Sequence, residues 1–196
     1  MIYAVVLAAG LSRRMGSQKL LLPYNGRPLV MHIVQQLQKS KIDGIIVVTG
    51  YMANEIMRVL PQSACKFVNN EHYQEGMLSS VRAGLRAVPL EAEAFMVVLG
   101  DQPSLRTPVV NQLIDGYRAT SKSIVVPAHR NDTGHPIVIS TSHRDAILTE
   151  FNETGLRGLI YGNPDQVYRL PVEDEGVLRD MDTPEDYRRE LAALSL

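Results

Sequence analysis

Residues 2–19 read IYAVVLAAGLSRRMGSQK. The apolar run Ile2–Leu7 is typical of a buried strand, and the small residues Ala8, Ala9 and Gly10 follow it directly. Backbone without bulky side chains comes close to a ligand, so its N–H groups can converge on phosphate oxygens. In an open α/β sheet, ligands bind at the carboxyl ends of the strands. The stretch therefore predicts an α/β fold with an anion-binding turn behind its first strand.

The same turn then carries three cations, Arg13, Arg14 and Lys19. Charge-assisted hydrogen bonds from these side chains would neutralise a polyphosphate. The turn has no Gly-Lys-Ser/Thr triplet, so it is not a Walker loop, and it lacks the glycine spacing of dinucleotide binders. A surface loop with solvated basic residues is the alternative interpretation.

Short apolar runs recur along the chain and alternate with segments of helical spacing. Further buried strands are predicted at Gly44–Thr49, Ala94–Leu99, Ser123–Val126 and Pro136–Ile139. Apolar residues at three- and four-residue spacing predict helices at Leu29, Ile33, Val34 and Leu37, and at Ile56, Val59 and Leu60. A threonine hydroxyl before proline predicts a capped helix start at Thr107-Pro108 and Thr183-Pro184. This alternation predicts a single α/β domain over residues 1–196, with a mostly parallel open sheet and helices on both faces.

Composition limits the classes of protein and partner. A net charge of -1 over 196 residues gives no basic surface field, so we expect no nucleic-acid partner. Cys65 is the single cysteine, which excludes an intramolecular disulfide and fits a reducing compartment, so we expect a cytoplasmic protein. The amino terminus has no basic leader, and no apolar run approaches the roughly 20 residues that span a bilayer, so we expect no membrane partner.

A carboxylate follows the apolar strand Ala94–Leu99. Asp101 lies in the segment Gly100-Asp101-Gln102-Pro103, at the tip of the strand, where no core contact explains it. A hard oxygen ligand beside a phosphate-binding turn suits Mg²⁺, which proteins hold by one or two carboxylates plus substrate phosphates. The alternative is an aspartate that initiates the turn before Pro103.

Two further carboxylates, Asp180 and Asp182, alternate before the helix start at Thr183. If this segment is extended, both side chains lie on one face, where one of them could complete a metal site. Acidic residues near a helix N-terminus are also favoured by the helix dipole, which is the alternative explanation.

Polar side chains outside these segments are weaker candidates. Asn70, Ser79 and Ser80 lie where a predicted strand passes into a helix, and the serines either cap that helix or bind a ligand. His135 precedes the predicted strand Pro136–Ile139, which places it at the start of a strand and away from the carboxyl edge of the sheet. A ligand-binding histidine and a structural turn both remain open. The loop at residues 152–158, which includes Arg157, is a further candidate to cover a phosphate.

The segment Leu7–Gly16, with Lys19 and residues 20–23 behind it, resembles the triphosphate loop of molybdenum cofactor cytidylyltransferases, within the molybdopterin nucleotidyltransferase-like enzymes. The segments around Asp101, Asp182 and His135 resemble the same family, so the resemblance covers nearly the whole chain. Guanylyltransferase relatives usually carry Leu-Ala-Gly-Gly where this chain has Leu-Ala-Ala-Gly, and this difference favours CTP over GTP.

The resemblance implies a role for each candidate side chain. Nucleotide binding is implied for Leu7, Ala8, Ala9, Gly10, Arg13, Arg14, Lys19, Asn70, Ser79, Ser80 and Asp101. Catalysis is implied for Arg14, Lys19 and Asp101, and Mg²⁺ binding for Asp101 and Asp182. Acceptor binding is implied for His135 and Asp180.

The family implies a Rossmann-like nucleotidyltransferase fold of the nucleotide-diphospho-sugar transferase type. Its activity is Mg²⁺-dependent transfer of CMP from CTP to the terminal phosphate of molybdopterin, with release of pyrophosphate and delivery of the product to a molybdenum hydroxylase. The alternatives are a transferase that uses GTP, one that acts on a sugar or polyol phosphate, and a non-catalytic module that delivers the cofactor. An NAD-dependent enzyme is disfavoured by the glycine spacing.

Overall fold

Strand β1, Ile2–Ala8, lies in the interior of the sheet, between β6 and β4. Its side chains are therefore buried on both faces. The computed structural model describes residues 1–194. The other strands are β2 (Pro23–Tyr24), β3 (Arg27–Pro28), β4 (Gly44–Thr49), β5 (Lys66–Asn69), β6 (Ala94–Leu99), β7 (Ile124–His129), β8 (Asp132–Thr133), β9 (Ile137–Ser140) and β10 (Val167–Pro171). The helices are α1 (Leu29–Gln38), α2 (Ala53–Arg58), α3 (Met77–Ala87), α4 (Thr107–Ala119), α5 (Arg144–Thr149), α6 (Leu156–Gly162) and α7 (Pro184–Ala193).

The order of strands in the main sheet is β10-β7-β9-β6-β1-β4-β5, with β8 paired to β7. Strands β6, β1, β4 and β5 pair in parallel, as do β7 and β10. Strand β9 is antiparallel to both β6 and β7. The carboxyl ends of β1, β4, β6 and β7 therefore meet at one edge, which confirms the predicted mostly parallel α/β sheet.

Alternate residues of each central strand enter two cores on opposite faces of the sheet. Val6 packs on the face covered by α1 and α4, and Val5 on the face covered by α3, α5 and α6. This two-sided burial explains why the strands read as continuous apolar runs. The predicted helices on both faces are thereby confirmed.

A helix begins at both predicted prolines, but the predicted threonine cap forms at only one of them. Thr183 caps α7 through a capping box with Asp186, as its sequence predicts. Thr107 is the first residue of α4 and makes no capping bond, because its hydroxyl donates to the backbone oxygen of Gln36 at 2.9 Å. A partner from a distant part of the chain has replaced the local one.

The boundaries of other elements differ by a few residues from those predicted. Strand β7 begins at Ile124 and runs on to His129, and β9 begins at Ile137 because Pro136 has no N–H to donate. Helix α2 ends at Arg58, so Val59 and Leu60 pack against the core from outside the helix. Within residues 1–194, no helix is both long and apolar enough to cross a membrane.

Gly84 allows α3 to lie directly on the sheet. A Cβ at this position would overlap Val5 Cγ1 and lie 2.9 Å from Val48 Cγ2. Both valines are fully buried, so they have little room to move. We expect Gly84→Val to lower the free energy of unfolding by about 1–3 kcal/mol in urea denaturation. The control is Gly162→Val, where nothing lies within 4 Å of the added Cβ; equal losses in the two variants would contradict this packing argument.

Candidate active site

The turn after β1 is held by the buried side chain of Gln18. Its Oε1 accepts a hydrogen bond from Ser12 Oγ at 2.7 Å, and its Nε2 lies 3.2 Å from the Gly10 carbonyl and 3.3 Å from that of Tyr51. Ser12 has a left-handed backbone, with φ of 50°, which the bond to Gln18 helps to hold. Sequence reasoning missed this residue, since a glutamine among cations offers no signal beyond its place in the turn.

Lys19 lies between two of the predicted carboxylates. Its Nζ donates to Asp101 Oδ2 and, at 2.8 Å, to Asp182 Oδ1. Arg14 donates to the other oxygen of Asp182 at 2.7 Å. The structure therefore brings the basic turn, the end of β6 and the segment before α7 into one charged cluster.

The charges in this cluster stabilise one another. Burial lowers the pKa of Lys19, but Asp101 and Asp182 raise it by more, so the net shift is upward. Burial raises the pKa of Asp182, while Lys19 and Arg14 lower it by more, so the net shift is downward. The ammonium of Lys19 and the carboxylate of Asp182 are thus both ionised at neutral pH.

A cleft of about 280 Å³ opens above the cluster. It is lined by Leu7, Gly10, Ser12, Arg13, Arg14, Gln18, Lys19, Leu20, Asp101 and Asp182. Arg13 and Arg14 are exposed at its rim, whereas Ala8 and Ala9 are buried beneath the turn. Three cations beside two carboxylates form a site that suits an anionic ligand accompanied by a metal ion.

The carboxylates of Asp101 and Asp182 fit a metal site that is completed by substrate phosphates. Within residues 1–194, no group of three or more His, Cys, Asp or Glu side chains could hold a metal ion alone. Mg²⁺ is usually held by one or two carboxylates together with substrate phosphates and water, and two carboxylates beside an anion-binding turn provide that donor set. A cation that binds both carboxylates must displace the ammonium of Lys19.

Asp180 lies beside the cluster but not in it. Met181 is fully buried between Asp180 and Asp182, and its N–H donates to the Asp101 carbonyl at 2.9 Å. Asp180 accepts a hydrogen bond from Gln102 at 3.0 Å. Burial and the nearby charge of Asp101 raise the pKa of Asp180. The two alternating carboxylates therefore have different partners, and Gln102, which is 2% exposed, is a second residue that sequence reasoning missed.

Asn70, Ser79 and Ser80 come together at the start of α3, outside the lining of the cleft. Asn70 Nδ2 donates to Ser79 Oγ at 2.9 Å and to Ser80 Oγ at 3.0 Å. Neither serine caps the helix, which begins after Gly76 without a side-chain cap, so the capping alternative is wrong. Ser79 instead donates to the carbonyl of Gly76 at 2.8 Å.

His135 lies at the carboxyl edge of the sheet, beside the end of β6. The sequence had predicted a position away from that edge. Because β9 runs antiparallel to β6, the start of β9 lies beside the end of β6, and the earlier placement is wrong. The His135 N–H donates to the Val177 carbonyl at 2.9 Å. Burial lowers the pKa of its imidazole to about 4; Asp101 acts in the opposite direction, and Arg157 adds to the lowering. His135 is therefore a neutral side chain near Asp101.

Comparison with known proteins places this chain among nucleotidyltransferases. Residues 4–167 match the MobA-like NTP transferase domain. Molybdenum cofactor cytidylyltransferase of Escherichia coli is 32% identical, over 93% of this chain and 92% of its own. Nicotine blue oxidoreductase of Paenarthrobacter nicotinovorans is 30% identical, over 94% of each chain. The crystal structure of Rv0371c from Mycobacterium tuberculosis in complex with manganese is 27% identical, with a TM-score of 0.84 over 98% of each chain.

The depressed pKa of His135 predicts a pH-dependent stability. The unfolded chain protonates this histidine near its ordinary pKa of 6.5, whereas the folded chain does so only at about 4. Its contribution is fully present above pH 6.5 and is lost as the pH falls towards 4, because only the unfolded state takes up the proton in between. We expect the unfolding free energy of wild type to fall more over this range than that of His135→Gln.

Titration of the imidazole by NMR provides the direct check. A midpoint near 4 agrees with a buried neutral side chain. A midpoint near 6.5, with parallel stability curves for wild type and His135→Gln, would contradict it.

Proposed function

The chain belongs to the MobA-like NTP transferase family and is a nucleotidyltransferase, and from this premise we propose that it transfers CMP from CTP to the terminal phosphate of molybdopterin. The observation that carries the proposal is the position of Lys19 between Asp101 and Asp182, at the mouth of the anion-binding turn. The similarity to the cytidylyltransferase of Escherichia coli supports the choice of substrates.

The reaction requires no strong general base. A phosphate oxygen of the acceptor is already anionic and attacks the α-phosphorus of CTP. A new P–O bond forms there as the bond from the α-phosphorus to the bridging oxygen breaks, and that oxygen leaves with pyrophosphate. The protein has to hold the reactants in line, relieve the charge on the α-phosphate and stabilise the leaving group.

The basic turn supplies the positive charge for these tasks. Backbone N–H groups of the turn and the side chains of Arg13 and Arg14 bind the β- and γ-phosphates. The Lys19 ammonium leaves its carboxylates and bonds to the α-phosphate, where negative charge develops. Such an exchange of one anionic partner for another keeps the lysine paired throughout, which its buried position requires.

Asp101 and Asp182 would hold Mg²⁺ together with the phosphates of the nucleotide. When bound there, the ion would neutralise negative charge on the triphosphate. The manganese complex of Rv0371c supports a divalent cation in this fold, and the hard oxygen donors of this chain favour Mg²⁺.

The cytosine and ribose lie against the start of α3. The buried Asn70 holds Ser79 and Ser80 close together there, and the half-buried Ser79 offers its hydroxyl to the nucleotide. The Leu-Ala-Ala-Gly turn also favours CTP. His135 and Asp180 border the acceptor, on the side of Asp101 that faces away from the triphosphate. The cytidylylated cofactor then passes to a molybdenum hydroxylase.

One relative of this chain is named as an oxidoreductase. The lysine–carboxylate cluster favours phosphoryl chemistry, because hydride transfer requires neither paired carboxylates nor three cations at one turn.

The proposal is tested by identifying the nucleotide that becomes attached to the acceptor. Purified protein is incubated with Mg²⁺, molybdenum cofactor and each of CTP, GTP, ATP and UTP in turn, and the product is analysed by mass spectrometry. We expect CMP to be attached and pyrophosphate to be released with CTP. Attachment of GMP would show that the substrate is GTP and not CTP. Binding of CTP without turnover would indicate a non-catalytic delivery module.

Two substitutions test the catalytic cluster. We expect Asp101→Asn and Lys19→Ala to leave a folded protein with kcat reduced by at least ~10²-fold, the scale of losing one electrostatic stabiliser. Lys41→Ala is the control, since Lys41 is an exposed lysine that pairs with Asp115. Near-normal pyrophosphate release from either variant would contradict the catalytic role assigned to that residue.

A further inference from the structure

Glu190, on helix α7, is a buried carboxylate that the proposed reaction does not use. Its side chain is 2% exposed, and its Oε1 is the only buried side-chain nitrogen or oxygen among residues 1–194 that has no hydrogen-bond partner. A buried charge costs free energy unless it is paired and hydrogen-bonded. Because apolar side chains often replace a buried ion pair without loss of stability, stability alone does not explain this carboxylate.

The partners of Glu190 come from the two segments that carry the site aspartates. Ser104 Oγ donates a hydrogen bond to Glu190 Oε2 at 2.9 Å, and the Arg179 guanidinium lies 3.6 Å from Glu190 Oε1. Ser104 follows Asp101 by three residues, and Arg179 precedes Asp182 by three residues. One buried side chain therefore bridges the loop after β6 and the segment before α7.

Hydrogen bonds join these two segments between the bridge and the site. The side chain of Gln102 donates to Asp180 at 3.0 Å. The N–H of Met181 donates to the carbonyl of Asp101 at 2.9 Å. A change in the separation of the segments at Glu190 is therefore transmitted along both of them towards the site.

The surroundings of the bridge are closely packed. A Cβ at Gly176 would lie 2.5 Å from Ser104 Cβ, so the backbone lies directly against the serine. Tyr24 is 5% exposed, and burial together with the charge of Glu190 raises the pKa of its phenol, which shows that the two side chains lie close together. Close packing leaves the serine and the carboxylate little freedom to move.

We propose that Glu190 is a positioning residue, which fixes the separation of Asp101 and Asp182 through its contacts with Ser104 and Arg179. Glu190 is outside the lining of the cleft, so it acts only through these neighbours. The nucleotide and the metal ion in this inference rest on the proposed function, whereas the contacts of Glu190 do not.

The bridge matters most when a nucleotide is bound. Without a nucleotide, Lys19 bonds to both Asp101 and Asp182 and holds them together by itself. In the proposed reaction the phosphates draw Lys19 away, and that link is lost. The bridge through Glu190 then keeps the two carboxylates at the spacing at which they would share one metal ion.

Binding of Mn²⁺ tests the bridge without turnover. EPR measures the affinity in the presence of the α,β-methylene analogue of CTP for Glu190→Met, Ser104→Ala and the double variant. Methionine keeps the unbranched shape of glutamate and removes its polar contacts. We expect Mn²⁺ to bind at least about fivefold more weakly to Glu190→Met and to be weakened less in Ser104→Ala, which breaks one of the two contacts. The double variant should match Glu190→Met, because both changes break the same bridge.

A matched control and a second measurement separate positioning from loss of structure. Glu185→Met makes the same change at an exposed position on α7, where Glu185 pairs with Arg188, and we expect it to leave Mn²⁺ binding unchanged. The analogue should bind equally to all variants without a metal ion, because the basic turn does not depend on the bridge. Unaltered Mn²⁺ affinity in folded Glu190→Met, or a loss as large in Glu185→Met, would overturn the positioning role. If Glu190→Met does not fold, unaltered affinity in Ser104→Ala would overturn it.

Steady-state kinetics separates this inference from the proposed function. With Mg²⁺, CTP and molybdenum cofactor, we expect Glu190→Met to lower kcat at least about tenfold and to leave KM for CTP unchanged, as displacement of a catalytic group does. Transfer by Glu190→Met at the wild-type kcat would overturn the positioning role while the proposed function stands. Weaker Mn²⁺ binding in Glu190→Met, without transfer by wild type, would support the positioning role while the proposed reaction fails.

Discussion

The bonds from Lys19 to Asp101 and Asp182 are the interaction on which the site depends. They join residues that are 82 and 163 positions apart in the chain. Because a buried ammonium without a partner is costly, the fold must bring both carboxylates to the basic turn. Parallel pairing of β1 with β6 places Asp101 beside the turn, and the Met181 bond to the Asp101 backbone brings Asp182 to the same point.

The antiparallel strand β9 extends this arrangement across the sheet. By reversing direction between β6 and β7, it brings its own first residues to the carboxyl edge, where His135 lies near Asp101. Asp101 thus stands between a cleft lined by three cations and the side chain of His135. In the proposed reaction the triphosphate and the acceptor approach Asp101 from these two sides, which suits an in-line displacement.

Local patterns in the sequence predicted the α/β fold, the central strands and the position of Asp101 at a strand end, because each follows from side-chain periodicity or from one turn. Features that depend on distant partners were not predicted. Thr107 bonds to Gln36 and not to its own helix, and His135 depends on the direction of β9. Strand β10 was missed as well: it pairs on one side only and carries exposed residues, so its sequence lacks a continuous apolar run.

The central claim is that Lys19 holds the two carboxylates in the absence of a nucleotide, and that Asp101 and Asp182 would hold a metal ion once the phosphates draw Lys19 away. Binding of Mn²⁺ followed by EPR, with and without the non-hydrolysable α,β-methylene analogue of CTP, measures this directly. The account predicts that protein with the analogue binds Mn²⁺ at least about tenfold more tightly than the protein or the analogue alone. Equally tight binding without the nucleotide, or an undiminished gain in Asp101→Asn, would contradict it.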